Sequence, residues 1–294
     1  MAHIIAIANQ KGGVGKTTTA INLAACIAAS GKRTLLVDCD PQGNATSGLG
    51  IDKNSLTRTI YDLLLENALF DETVISTEIE HLDCLPATVS LIGAEVELVN
   101  EADRHDRLRK QIVPALEKYE YCIIDAPPSL GLLTVNVLCA AREIIVPLQC
   151  EYFALEGVSL LMRTIAEVKK SLNPALEIRG VLLTLYDGRT NLARQVADEV
   201  RSHFPGKVFS TVIPRSVRLS EAPSFGKPII LYDFRSSGSQ AYISLCQEVL
   251  DGNPETTGAG TGIGSADSNP IVHDSSKSGS VADAVIGDAT VNGS

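Results

Sequence analysis

Residues 9–19 read Asn-Gln-Lys-Gly-Gly-Val-Gly-Lys-Thr-Thr-Thr, with Lys11 and Lys16 on either side of the glycines. A glycine-rich turn leading into a helix turns backbone N–H groups toward phosphate oxygens, while a lysine reaches the outer phosphates and a hydroxyl holds Mg²⁺. Gly15, Lys16 and Thr17 supply the last three elements of that pattern. The first glycine of GxxxxGK[ST] falls on Gln10, so the loop is the variant KGGxGK[ST]. Lys11 lies on the approach to the loop, not at its helix end, and need not serve the same phosphate as Lys16.

Two further stretches bring carboxylates. Asp38-Cys39-Asp40-Pro41-Gln42-Gly43 follows an apolar run, and Asp38 and Asp40, two apart on extended chain, point the same way. One suits Mg²⁺ or its water shell; the other could orient an attacking water. Pro41 and Gly43 break the strand and put Asp40 on a loop of the kind that senses an outer phosphate. Tyr121–Ile124 is a second apolar run, ending in Asp125 and stiffened by Pro127 and Pro128, and a strand-end aspartate in nucleotide hydrolases holds the metal, usually through water.

These residues need a scaffold that ends several strands at one edge. Apolar runs at His3–Ala8, Thr34–Val37, His81–Leu85, Tyr121–Ile124, Glu143–Leu148, Ile178–Leu185 and Val208–Ile213 read as buried strands. Helical periodicity covers Thr17–Ser30, Leu91–Ala102, His105–Lys118, Leu130–Ala141, Leu155–Leu172 and Leu192–His203. Continuous apolar strands alternating with helices predict an α/β fold, a mostly parallel twisted sheet covered on both faces, with ligands at the carboxyl ends of the strands.

At 294 residues and 45% hydrophobic content the chain can build a substantial core. No apolar stretch reaches the roughly 18 residues needed to span a bilayer, and a signal-peptide pattern is not found, so a cytoplasmic protein is expected. The seven cysteines form no CxxC pair and read as free buried thiols. The net charge of −10 hides an asymmetry: Arg163 to Arg235 carries twelve Lys/Arg and seven Asp/Glu, a local +5, leaving −15 for the remainder. A basic segment in an acidic chain is consistent with one face addressing a polyanion, and equally with an ordinary solvated surface. Residues 251–294, rich in Gly, Ser and Asp and without an aromatic residue, are expected to be a disordered acidic tail after a domain spanning 1–250.

Taken together, KGGVGKTTT, LLVDCDPQGNATSGLG, IIDAPPSLGLLT, VPLQCEYFALEGV, LYDGRT and VIPRSVRLSEAPSFGKPI resemble the ParA/Soj chromosome-partitioning ATPases of bacteria, from about Ala2 to Leu250. The resemblance implies a deviant Walker A P-loop ATPase that sandwiches two ATP molecules between two subunits and binds double-stranded DNA, without sequence preference, as that dimer. Lys11 matches the signature lysine that reaches the other subunit's phosphates. Lys16 would bind phosphates in its own subunit, Thr17 would ligate Mg²⁺, Thr18 would contact the inner phosphate, and Asp38 and Asp125 would serve the metal. Gly12, Gly13, Val14 and Gly15 complete the nucleotide loop, with Gly12 at the subunit interface. Asp40 matches the residue that positions the water. Pro214 and Ser216 match the stretch beside the adenine, where many relatives have asparagine at the second position. Arg189 and Arg218 match basic residues implicated in DNA contact. The partner implied is a ParB/Spo0J-type centromere-binding protein whose basic N-terminus stimulates slow hydrolysis, and the location implied is the nucleoid.

Three other readings are weighed. A MinD-like cell-division regulator would end in a basic, bulky amphipathic membrane helix, which this tail does not spell. A nitrogenase-reductase-like carrier would need a cluster-ligating cysteine just after the strand-end aspartate, where Ala126-Pro127-Pro128-Ser129 stands. A non-catalytic module switched by ATP is disfavoured by the full set of Lys11, Lys16, Thr17, Asp40 and Asp125.

Overall fold

In the computed structural model, residues 2–151 and 154–252 are described. Eight strands, β1 (His3–Ile7), β2 (Thr34–Asp38), β3 (Ile75–Ser76), β4 (Leu82–Leu85), β5 (Tyr121–Asp125), β6 (Glu143–Gln149), β7 (Glu177–Tyr186) and β8 (Val208–Pro214), form one sheet in the order β3-β4-β2-β5-β1-β6-β7-β8. Every pairing is parallel except that of β3 with β4. The expected α/β architecture is therefore present. A two-residue antiparallel strand at one edge adds to it.

The middles of the long strands are apolar because both faces are covered. Along β1, Ile4 and Ala6 join one core while Ile5 and Ile7 join the other, the period of two that a pleated strand imposes. Two long helices, α1 (Lys16–Ala29) and a C-terminal helix (Ser237–Leu250), cover the second face through Leu23, Ile27, Tyr242 and Leu245. Buried alanines at 20, 24, 25 and 28 let α1 lie close to the strands. The helices Leu132–Ala140, Ala154–Ser171 and Asn191–His203 cover the first face, through residues such as Val137, Leu161 and Val196.

Two expected helices are shorter than their periodicity. The stretch expected to be helical over His105–Lys118 is helical over Arg107–Ile112 and continues as 3₁₀ turns from Val113, where Pro114 lacks the N–H an α-helix interior requires. The stretch from Leu91 is helical to Glu97 and then tightens to a 3₁₀ turn. All seven cysteines are buried and free, as expected. Burial pushes their thiols upward, to about 11 for Cys139 and about 12 for Cys246. No helix among the described residues is long and apolar enough to cross a membrane. The expected tail lies, from residue 253 on, outside the described residues, as do Tyr152 and Phe153.

Charge is distributed unevenly along the sheet. Residues 59–103, which build β3, β4 and the short helices beside them, contain eleven Asp/Glu and no Lys or Arg. The basic stretch 163–235 builds β7, β8 and their helices at the opposite end.

Candidate nucleotide site

β1 delivers the chain into the loop 9–15 at the carboxyl edge of the sheet, between β5 and β6. Asn9 fixes the entry: its side-chain amide donates to the Pro147 carbonyl at 2.7 Å, and its oxygen accepts the Lys11 amide at 3.0 Å. Gly13 (φ +74°) and Gly15 (φ +87°) adopt left-handed backbone that a side chain would strain. Gly15 is the residue from which α1 starts, so the loop hands its free amides to a helix N-terminus, a ready anion site. On the far side, the Thr184 hydroxyl donates to the Val14 carbonyl at 2.8 Å and ties the loop to the end of β7.

The two lysines have different surroundings. Lys16 is buried, 6% exposed, and its Nζ donates to the Lys11 carbonyl at 3.1 Å. Burial lowers its pKa, against the upward pull of Asp125 and Asp40. Lys11 is partly exposed at the outer lip of the loop, where its Nζ pairs with Glu151 of the same chain at 3.3 Å. The structure thus separates an inner, desolvated lysine from an outer, solvated one.

The carboxylates also divide. Asp38 and Asp125 are opposite one another on β2 and β5, both fully buried. Asp38 spends its oxygens within its own loop: one accepts the Asp40 amide at 3.1 Å, the other the Thr46 amide and hydroxyl, both at 2.8 Å. The Thr46 oxygen in turn accepts the Ala87 amide at 2.9 Å. Through these bonds Asp38 braces the loop 40–46. Asp40, 7% exposed, is steadied by the Gln42 amide donating to its Oδ1 at 2.9 Å.

Asp125 presents the opposite case. Both of its oxygens are buried without a hydrogen bond of normal geometry, although the Thr17 hydroxyl is near enough to pull its pKa down somewhat. Desolvation dominates, with the Asp38 charge adding to it, and the Asp125 pKa rises well above the usual carboxylate range. An orphaned buried carboxylate beside a threonine hydroxyl fits a hard divalent cation. No group of three or more His, Cys, Asp or Glu among the described residues could hold a metal alone. Such a cation would draw its remaining ligands from phosphate and water, the habit of Mg²⁺.

This arrangement predicts a pH dependence. Burial raises Asp38 from 3.8 to about 6 and Asp125 upward too, so the folded chain holds these protons more tightly than the unfolded one. Stability of the nucleotide-free protein is therefore greatest below about 4 on this account and declines as pH rises through about 6. Asp125→Asn removes its share of the decline: calorimetry across pH 4–8 should show a flatter profile and a melting temperature about 5 °C higher at the upper end. A variant that melts lower throughout would count against the buried-charge account.

Other expected residues lie along the same carboxyl edge. Pro214 ends β8 beside Tyr186, and Ser216 precedes the short helix Val217–Glu221. Arg189 follows β7 with its side chain 90% exposed, yet it is held by Asp187 through Nε at 2.8 Å and Nη2 at 2.7 Å. Arg218 pairs with Glu221 at 3.1 Å and Asp233 at 3.4 Å. Both arginines are at the surface, and both carry carboxylate partners that a phosphate would have to displace. Thr46, Thr184 and Glu151 were not singled out from the sequence. Nothing local marks them, since each acts on a residue 8, 170 or 140 positions away.

A parallel sheet whose first strand enters a glycine loop flanked by two lysines is the framework of a P-loop NTPase of the two-lysine type. A family model described as an AAA domain, AAA_31, matches residues 2–178. The sporulation initiation inhibitor protein Soj of Bacillus subtilis is 57% identical over 249 residues, covering 85% of this chain and 98% of that protein. The chromosome partitioning protein ParA of Myxococcus xanthus is 56% identical over 250 residues, covering 85% and 88%. Among solved structures, a Mycobacterium smegmatis protein described as cobyrinic acid a,c-diamide synthase, with bound ATP analog and magnesium, superposes with a TM-score of 0.77 at 36% identity, covering 87% of this chain and all of that one. The chain belongs to the ParA/Soj family of chromosome-partitioning ATPases.

Proposed function

We propose that the protein is an ATP-driven switch for DNA partitioning: it binds Mg²⁺-ATP, dimerises around it, holds DNA non-specifically as that dimer, and lets go after a slow hydrolysis that a ParB-type partner accelerates. The observation that carries this reading is the pairing of a buried Lys16 and an orphaned Asp125 behind the loop with a solvated Lys11 at its lip.

Lys16 and the amides of residues 12–18 bind the phosphates, Thr17 and Asp125 serve the metal, and Asp40 orients the water. Asp38, through Thr46, keeps Asp40 in place. Bound Mg²⁺ supplies neutralisation of phosphate charge. Lys11 leaves Glu151, an exposed pair worth about 1 kcal/mol or less, and extends its cation to the neighbouring subunit's phosphates as an arginine finger does. Within one chain nothing lies within 4 Å of a Cβ placed at Gly12. On this reading, a steric cost of a side chain at Gly12 would come from the bound nucleotide or from the second subunit.

Arg189 and Arg218 carry the DNA contact on the basic end of the sheet. A dimer doubles their number, and counterion release gives binding a steep salt dependence. In Arg189→Glu, DNA affinity by fluorescence anisotropy should fall about tenfold or more while basal ATP turnover is retained. Equal affinity at moderate salt would remove Arg189 from the interface. Size-exclusion chromatography of the wild type with and without ATP tests the switch as a whole: a dimer that needs the nucleotide supports it, and an unchanged elution volume refutes it. On this reading the protein works on the nucleoid in the cytoplasm.

A further inference from the structure

Four large apolar side chains in the acidic layer stand in solvent: Val89 (68% exposed), Ile92 (50%), Val96 (72%) and Val99 (52%). Their spacing of three, four and three, through the helix Leu91–Glu97 and the 3₁₀ turn after it, aligns them in one stripe. Leu91, Ala94 and Leu98 of the same stretch are buried. The helix is thus apolar on both sides. A single exposed valine needs no explanation, whereas an aligned row marks a contact surface.

The surrounding charge selects the occupant. The eleven Asp/Glu of residues 59–103 outnumber the four cations from outside that stretch that pair with them, Arg58, Arg107, Lys110 and Lys118, so the layer stays net acidic. A nucleic acid would be repelled there. A second copy meeting this face through a two-fold axis would set acid against acid. What remains complementary is a basic segment with an apolar face of its own, lying helix against helix.

The stripe also leads toward the nucleotide site. Val89 lines a groove of about 600 Å³ together with Pro41, Gln42 and Lys53. The Lys53 Nζ donates to the Gln42 carbonyl at 2.8 Å, and the Gln42 amide donates to Asp40. An occupant reaching from the stripe into this groove touches the loop that carries Asp40.

We propose that the Val89–Ile92–Val96–Val99 stripe is the docking surface for a basic amphipathic helix of a partner protein. This deepens the partner reading given above and rests on it only for the effect on turnover, since docking is measured by itself. The probe is a fluorescein-labelled Leu/Lys peptide of about 18 residues, five helical turns, compared with a peptide of the same composition whose leucines are scattered round the helix. At ~0.15 M salt, where long-range attraction is damped, anisotropy should show the patterned peptide binding the full chain about tenfold tighter than the scattered one. Val96→Asp should weaken the patterned peptide about tenfold although it adds negative charge, with melting temperature and basal ATP turnover unchanged.

Equal or tighter binding to Val96→Asp would mean attraction by charge alone and overturn the proposal, as would equal binding of the two peptides. Loss of self-association in Val96→Asp with peptide binding intact would reassign the stripe to a second copy and overturn it too. A chain inert toward ATP that nevertheless shows the expected peptide pattern would refute the switch and support the docking surface.

Discussion

Lys16→Ala is expected to lose ATP affinity on the order of a thousandfold, because two effects act together. The first is loss of a charge-assisted contact made in a desolvated place, where such contacts are strong. The second is the charge left behind. Lys16 is the cation that both Asp125 and Asp40 feel, so without it the pocket presents carboxylates to a triphosphate with no compensating side chain. The same loss should lower the stability of the nucleotide-free protein, since the fully buried Asp125 loses a cation that favours its charged form. Isothermal titration with a non-hydrolysable ATP analogue measures the first effect and a melting curve the second. Affinity retained within about tenfold would show that the loop is not the phosphate site.

Asp40→Ala should act on turnover and spare binding. Asp40 is mostly buried, oriented by the Gln42 amide and braced from behind by Asp38 and Thr46, so its carboxylate is held in one direction before substrate arrives. A positioned residue that orients or accepts a proton from water contributes about 10²–10⁴-fold, and a loss of that order in kcat is expected. ATP affinity should change little, and the ATP dimer should accumulate on DNA. Single-turnover kinetics with dimer detection by light scattering separate these outcomes. Normal turnover in the variant would take Asp40 out of the mechanism.

Much of this site was legible because its signals are local. The glycine loop, the Asp38–Asp40 pair and the strand-end Asp125 are contiguous motifs, and the strands that carry them are short apolar runs whose ends lie within about two residues of expectation. What the sequence does not announce is pairwise and distant. That Asp38 is bonded to Thr46 while the Asp125 oxygens lack a hydrogen bond of normal geometry depends in part on the five-residue helix Asn44–Gly48, too short to show a period. The C-terminal helix Ser237–Leu250 was not expected, although Tyr242, Leu245, Cys246 and Val249 follow a helical spacing. Its first turn of Ser, Gly and Ser reads as loop until the Ser236 cap, whose hydroxyl accepts the Ser239 amide at 3.2 Å, is seen. Its tie to α1, Thr19 with Tyr242 at 3.1 Å, spans 223 positions.

The uneven distribution of charge along the sheet bears on how the molecule approaches other macromolecules. A chain of net −10 is repelled by DNA when seen as a point, but its basic and acidic ends are separated by the width of eight strands. Beyond the screening length of about 8 Å neither end is felt, so no long-range capture operates. Within it, on the proposed DNA-binding reading, a torque would act before any contact forms, turning the β7–β8 end toward the polyanion and the β3–β4 end outward. The molecule would then arrive with its Val89–Val99 side already facing away from the DNA, accessible to whatever comes next.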